Sequence, residues 1–137
     1  MRKTFTTSIL LLSALLFVAC SGSKSFYKKG KNLEKNGLTT EAANFYIEAL
    51  KRKRTNDDAI IALKSLGQKV LDEKYSFFYK YYSDERPKDA VYAYLDAEEF
   101  KNKVSAVGVV LSSSPYYRDY YIEARDAYVA ELYTKAA

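Results

Sequence analysis

The sequence predicts an all-α protein of about five helices, and three observations carry that prediction. Beyond residue 25 the apolar residues recur at helical rather than alternating spacing. Gly and Pro number only five and two in 137 residues, and they are expected at the joints between periodic segments. Several of those segments open on residues suited to helix starts, among them Thr39, Thr55, Ser114 and Pro115.

In chain order, a first helix is expected from Lys24 to Asn36, ending near Gly37, because glycine tolerates the left-handed backbone that follows a helix C-terminus. Thr39 and Thr40 open a second, with Glu41 near its positive end and Ala42, Phe45, Tyr46, Ala49 and Leu50 along one stripe. Thr55 and Asp58 stand at capping-box spacing, with Asn56 as an alternative cap, so a third helix starts there and extends to Tyr82. Ile60, Leu63, Val70, Phe77 and Tyr81 share one predicted face. Pro87 falls in the first turn of a fourth helix, which runs to about Val104 and is broken by Gly108. The β-branched Val107, Val109 and Val110 admit a strand, but no partner strand is evident. Val109 to Ser114 is therefore expected to be an extended connector lying along helices. Ser114 and Pro115 then supply a cap and first position for a fifth helix, Pro115 to Lys135.

The N-terminal segment is of another kind. Arg2 and Lys3 precede an apolar run from Ile9 to Ala19, broken only by Ser13 and too short to span a bilayer, which needs about 20 residues. The run ends on the only cysteine, Cys20, which has no partner for an internal disulfide. Phe17, Val18, Ala19 and Cys20 resemble a bacterial lipoprotein signal, with Phe17 in place of the usual leucine. The resemblance implies a signal peptide over 1–19, acylation of Cys20 and attachment to the bilayer through it. Residues 20–25, rich in Ser, Gly and Lys, read as a flexible tether, and 26–137 as the helical domain. Ser21 stands where some bacteria place an inner-membrane retention aspartate, and no acidic export cluster follows. The resemblance therefore implies the periplasmic face of the outer membrane.

Within the helical region, Phe26, Gly30, Leu33, Ala42 and Tyr46 fall at tetratricopeptide-repeat separations, with Gly37 and Ala49 at the turn and second-helix positions. Lys29 and Arg54 depart from that pattern. Ala90, Tyr94 and Ala97 repeat the Ala42, Tyr46 and Ala49 spacing at an offset of 48 rather than the usual 34 residues, and Ala124 and Tyr128 echo it again. The chain thus resembles a short, degenerate tetratricopeptide-like array, a family that implies a protein-binding scaffold. Its last helix has no clear terminator, which suits docking of a partner, docking of a second copy of the chain, or a shortened relative of a longer repeat protein.

Tyrosine is the compositional oddity: 14 residues against no tryptophan. Tyr75, Tyr79 and Tyr82 form one row, and Tyr116, Tyr117, Tyr120 and Tyr121 crowd the start of the fifth helix. These seven are the candidate partner surface, since a tyrosine buries its ring and keeps its hydroxyl at a wet edge.

Other function classes have little to rest on. Without histidine, and with Cys20 assigned to lipid, neither a usual general base, nor a zinc site, nor a thiol nucleophile is available, so no catalytic residue, cofactor or metal is expected. Removal of Arg2 and Lys3 with the signal lowers the formal charge from +5 to +3, which does not support nucleic-acid binding. The basic residues are unevenly placed, with Lys24, Lys28, Lys29, Lys31 and Lys35 near the anchor and a run from Lys51 to Arg54. The expectation is a lipid-anchored scaffold or adaptor for a protein or peptide. A Tyr-rich glycan-binding or nutrient-capture module is the alternative.

Overall fold

A computed structural model describes residues 22–136; the apolar segment 1–19, Cys20, Ser21 and Ala137 lie outside the described residues. Five helices and no strand occur among them: α1 over residues 22–35, α2 Thr39–Arg52, α3 Asp57–Ser83, α4 Pro87–Ala106 and α5 Tyr116–Ala136. The all-α class predicted from the sequence is thus observed. The chain divides into two units, Met1–Leu63 and Lys64–Ala137, with the boundary inside α3.

In the first unit α1 and α2 run antiparallel, Gly22 lying by Arg52, Ser23 by Ala49 and Glu34 by Tyr46, with Phe26 against Phe45 and Tyr27 against Tyr46, each with ring centroids 5.7 Å apart. Ala42, Tyr46, Ala49 and Leu50 are completely buried along the predicted stripe of α2. The close approach depends on Gly30, where an added Cβ would stand 2.6 Å from the Tyr46 ring. Tyr46 in turn donates its hydroxyl proton to Glu34 at 2.5 Å. Burial first, and then this carboxylate, holds the Tyr46 phenol well above its ordinary pKa. Helix α1 closes as the glycine predicts: Gly37 adopts φ +77°, Leu38 N–H bonds to the Leu33 carbonyl, and Gly37 N–H to that of Glu34.

Helix α2 opens on Thr39 as the sequence predicts, with Leu38 before it and no side-chain cap, while two local expectations change in this unit. Asn56, not Thr55, caps α3, its Oδ1 accepting the Ala59 N–H at 3.2 Å. The expected tether is already helical at residues 22–25. Ser23 is fully buried there, donating to the Ala49 carbonyl at 2.9 Å and accepting from Asn56 Nδ2 at 2.8 Å. A small hydroxyl side chain fits between the last turn of α2 and the start of α3, so polarity at this position serves packing rather than solvation.

In the second unit α3 and α4 run antiparallel, joined by Tyr75 to Glu98 and Lys74 to Asp96. Helix α5 runs antiparallel to α4, Tyr94 meeting Tyr121 and Tyr92 meeting Tyr128. Leu66, Val70, Leu71, Tyr75 and Phe78 of α3 are buried with Ala90, Ala97, Phe100 and Val104 of α4. The predicted α3 face is corrected at Phe77, which is 51% exposed while Phe78 is completely buried. The buried stripe turns toward Leu71, Tyr75 and Phe78 along the helix, so no single face is covered over all 27 residues. Gly67 also lies inside α3 rather than at a joint.

The valine-rich segment is extended without a strand partner. Val107 and Gly108 form the turn that ends α4, after which Val109 and Leu111 are buried on either side of exposed Val110, the period of an extended chain. Gln68 supplies the ladder that a neighbouring strand would have given: its Nε2 donates to the Ser112 carbonyl and its Oε1 accepts the Ser112 N–H, both at 2.9 Å.

Candidate functional site

The seven tyrosines of the candidate surface divide between the packing of the second unit and its surface. Tyr75 is 2% exposed; its ring stacks on Tyr117 at 4.4 Å and its hydroxyl donates to Glu98. Tyr94 stacks on Tyr121 at 4.2 Å, and Tyr82 on Tyr120 at 4.9 Å. Phe78 meets Tyr94 and Tyr117 edge-on, at 5.3 and 5.9 Å. Of the seven candidates, only Tyr79 and Tyr116 are exposed; Tyr82, Tyr117, Tyr120 and Tyr121 are half-buried, and Tyr75 belongs to the core. The reason is geometric. Tyr117, Tyr121, Ala124 and Tyr128 succeed one another at helical spacing, so one side of α5 carries rings into the contacts with α3 and α4. Burial, followed by the nearby Glu98 carboxylate, raises both the Tyr75 and the Tyr94 phenol above the ordinary value.

What remains open is a groove of about 620 Å³ between the α3–α4 turn and α5. Tyr82, Glu85, Arg86 and Pro87 form one wall, and Glu123, Ala124, Ala127 and Glu131 the other. Tyr82 donates its hydroxyl proton across the groove to Glu123, and that bond pushes the phenol up to about 12. Arg86 is held away from free rotation by Asp89, at 2.7 Å, and by the Tyr81 ring, 4.6 Å below its guanidinium carbon.

Glu85 is the anomaly of this site. It has φ +53°, the only non-glycine residue with positive φ among those described. The turn is built like those at Gly37 and Gly108, with Arg86 N–H bonding to the Tyr81 carbonyl and Glu85 N–H to that of Tyr82. A side chain at such a position costs about 1 kcal/mol or more relative to glycine. Sequence reasoning missed Glu85, Arg86 and Glu131. The available signal was the absence of glycine between Tyr82 and Pro87, where the helix has to end.

The outer side of α5 was missed as well. Ile122, Val129, Leu132 and Tyr133 are 37, 42, 48 and 75% exposed, and Ala124 is the one buried residue of that helix. The repeat-packing candidates fall where large and small residues interleave. Phe26, Gly30 and Leu33 line α1 against Ala42, Tyr46 and Ala49 of α2, while Ala90 and Ala97 are completely buried in α4 on either side of half-buried Tyr94. Cys20 lies outside the described residues. No group of three or more Cys, Asp or Glu side chains among the described residues is placed to hold a metal ion. No helix among them is long and apolar enough to cross a membrane. No protein-family model, curated protein or solved structure matches the chain significantly.

Proposed function

We propose that the chain is a lipid-anchored protein of the bacterial cell envelope, held through Cys20 at the periplasmic face of the outer membrane, and that it acts as a scaffold or adaptor. The groove beside α5 receives a segment of the partner protein. The observation that carries this reading is the groove's construction. A non-glycine residue is kept at positive φ on its rim, and stacked tyrosines fix both of its walls. Strain that a glycine would relieve is retained where a side chain is presented to solvent, as at many binding sites.

Recognition would rest on shape and rigidity rather than on chemistry. The Tyr82–Tyr120 stack sets the width of the groove, Ala124 and Ala127 keep its α5 wall low, and Glu85 and Glu131 favour a segment that brings donors or positive charge. The tetratricopeptide-like spacing supports the same class, since paired helices with aromatic and alanine interleaving are used as peptide grooves.

Photocrosslinking in intact envelopes provides the test, with the reactive side chain at Ala127 in the groove or at Ser76, an exposed position of α3 outside it. A discrete adduct from Ala127, absent from Ser76 and lost when Glu85 or Glu131 is changed to lysine, is expected. Equal adducts from both positions, or capture indifferent to those changes, would remove the groove from the proposal. Specific oligosaccharide binding by the purified protein would favour the glycan module instead.

A further inference from the structure

The basic excess of the described chain lies entirely in the first unit. Residues 22–63 carry nine Lys and Arg against five Asp and Glu, whereas residues 64–136 carry eleven against twelve. Within the first unit the charge has a shape. Lys24, Lys28, Lys31 and Lys35 recur at four, three and four residues along α1, so they form one stripe, and all four are exposed. That stripe lies opposite the α1 face carrying buried Ser23 and Gly30. None of the four makes an ion pair with a described residue. The only carboxylate of α1, Glu34, is engaged by the Tyr46 hydroxyl.

The antiparallel pairing of α1 and α2 also returns the second basic run to the beginning of α1. Gly22 lies against the Arg52 side chain, the place of a Cβ there being 3.1 Å from Arg52 Cδ, and Lys53 lines the same depression as Lys24. Asp57 and Asp58 share that depression and cancel part of its charge, so the excess is carried by the α1 stripe. Cys20 precedes Gly22 by two residues, which at full extension allow about 7 Å between their Cα atoms. Because Ser23 is fixed by Ala49 and Asn56, the chain has no slack beyond that point.

We infer that the Lys24–Lys28–Lys31–Lys35 stripe lies on the bilayer surface beside Cys20 and binds the phosphate groups of anionic lipids. The proposal rests on the reading of Cys20 as the anchor. It adds that α1 is a contact element rather than the continuation of a tether. Charge complementarity and the short link to Cys20 together select a lipid surface as the occupant: wherever residue 20 is held in a membrane, the start of α1 is within a Debye length of the headgroups, about 8 Å at physiological salt. Each lysine that reaches such a surface strengthens attachment by a factor of roughly five.

The test uses the full chain in vesicles of phosphatidylcholine alone or with phosphatidylglycerol, treated with a membrane-impermeant amine reagent and read by mass spectrometry. On the anionic vesicles, labelling of Lys24, Lys28, Lys31 and Lys35 is expected to fall at least about threefold relative to phosphatidylcholine, and to recover at about 1 M salt. Lys69, Lys80 and Lys88 of the second unit, exposed and without ion pairs among the described residues, serve as references and should not change. Equal labelling of the stripe on the two vesicles overturns the proposal, whereas the mass of the N-terminal peptide and flotation with phosphatidylcholine report separately on the anchor. If Cys20 proves unacylated and the chain does not float with phosphatidylcholine, the anchor reading fails and the anionic arm still decides. Flotation with phosphatidylglycerol that Lys24→Gln and Lys28→Gln together reduce at least about tenfold would sustain the stripe, and no flotation would overturn it.

Discussion

Replacing Gly30 by alanine probes the α1–α2 contact through two effects of opposite sign. In an open helix position, Gly→Ala stabilises by about 0.5–1 kcal/mol through helix propensity and the entropy of the unfolded chain. At position 30 the new Cβ would lie 2.6 and 2.8 Å from two carbons of the Tyr46 ring and 3.1 Å from the Ala42 carbonyl oxygen. Tyr46 is completely buried and tied to Glu34 through its hydroxyl, so the ring has no free direction in which to yield. Overpacking of this kind costs about 1–3 kcal/mol. After the propensity gain a net loss of up to about 2.5 kcal/mol remains, centred near 1 kcal/mol or roughly 4 °C in Tm for a chain of this size. Thermal and urea unfolding followed by helical circular dichroism measures it. Tyr46→Ala supplies the control: alone it costs about 3–5 kcal/mol, but it removes the ring, so adding Gly30→Ala in that background should stabilise by about 0.5–1 kcal/mol. If Gly30→Ala raises Tm in the natural chain, or has the same effect in both backgrounds, the close approach is not what fixes this glycine.

Three further outcomes follow from particular contacts. Glu85→Gly relieves the positive-φ strain and should raise stability by up to about 1 kcal/mol; a Tm that stays level or falls would show the turn to be unstrained. Gln68→Ala removes both hydrogen bonds to Ser112, and amide exchange across residues 109–114 should accelerate at least about tenfold, while unchanged protection would mean that Val109 and Leu111 alone hold the connector. Tyr46 and Tyr75 have folded pKa values raised above the ordinary 10.0, so their neutral forms are favoured by folding. Their stabilising contribution is complete below pH 10 and is lost as pH rises from there through the raised folded values; Tyr46→Phe and Tyr75→Phe should flatten this alkaline decline in urea-unfolding free energy, and identical slopes would contradict the assignment.

Helices were legible wherever a periodic stripe met a glycine or proline boundary. Gly37 and Gly108 both take positive φ at the helix ends where they were expected. The boundary at Glu85 was not legible as a left-handed cap, because the sequence places there a residue that pays for the conformation instead of favouring it. The tether over 20–25 was misread for a related reason. Ser, Gly and Lys are the composition of a linker, but a small hydroxyl residue is also what fits between two converging helices, and only the positions of Ala49 and Asn56 distinguish the two uses of Ser23. The connector before α5 was read correctly as extended, while the group that satisfies its backbone, Gln68, lies 44 residues away and leaves no local sign.

The tyrosine count alone did not separate packing from surface, because composition does not say which end of the residue is used. Tyr46, Tyr75 and Tyr82 each donate a hydroxyl proton to a glutamate on another helix, respectively Glu34, Glu98 and Glu123. Phenylalanine would fill the same volume but leave each carboxylate without that donor, and a part-buried bond such as those of Tyr46 and Tyr75 contributes about 0.5–1.5 kcal/mol. The ring and hydroxyl therefore act together between helices, one as packing and the other as a directional tie, and a chain without tryptophan obtains both from one residue type. Most of its tyrosines are consequently spent on holding α3, α4 and α5 in place. The surface they frame, and the one proposed for recognition, comprises the Glu85 rim, the α5 wall of the groove with Ala124 and Ala127, and the exposed apolar side of α5.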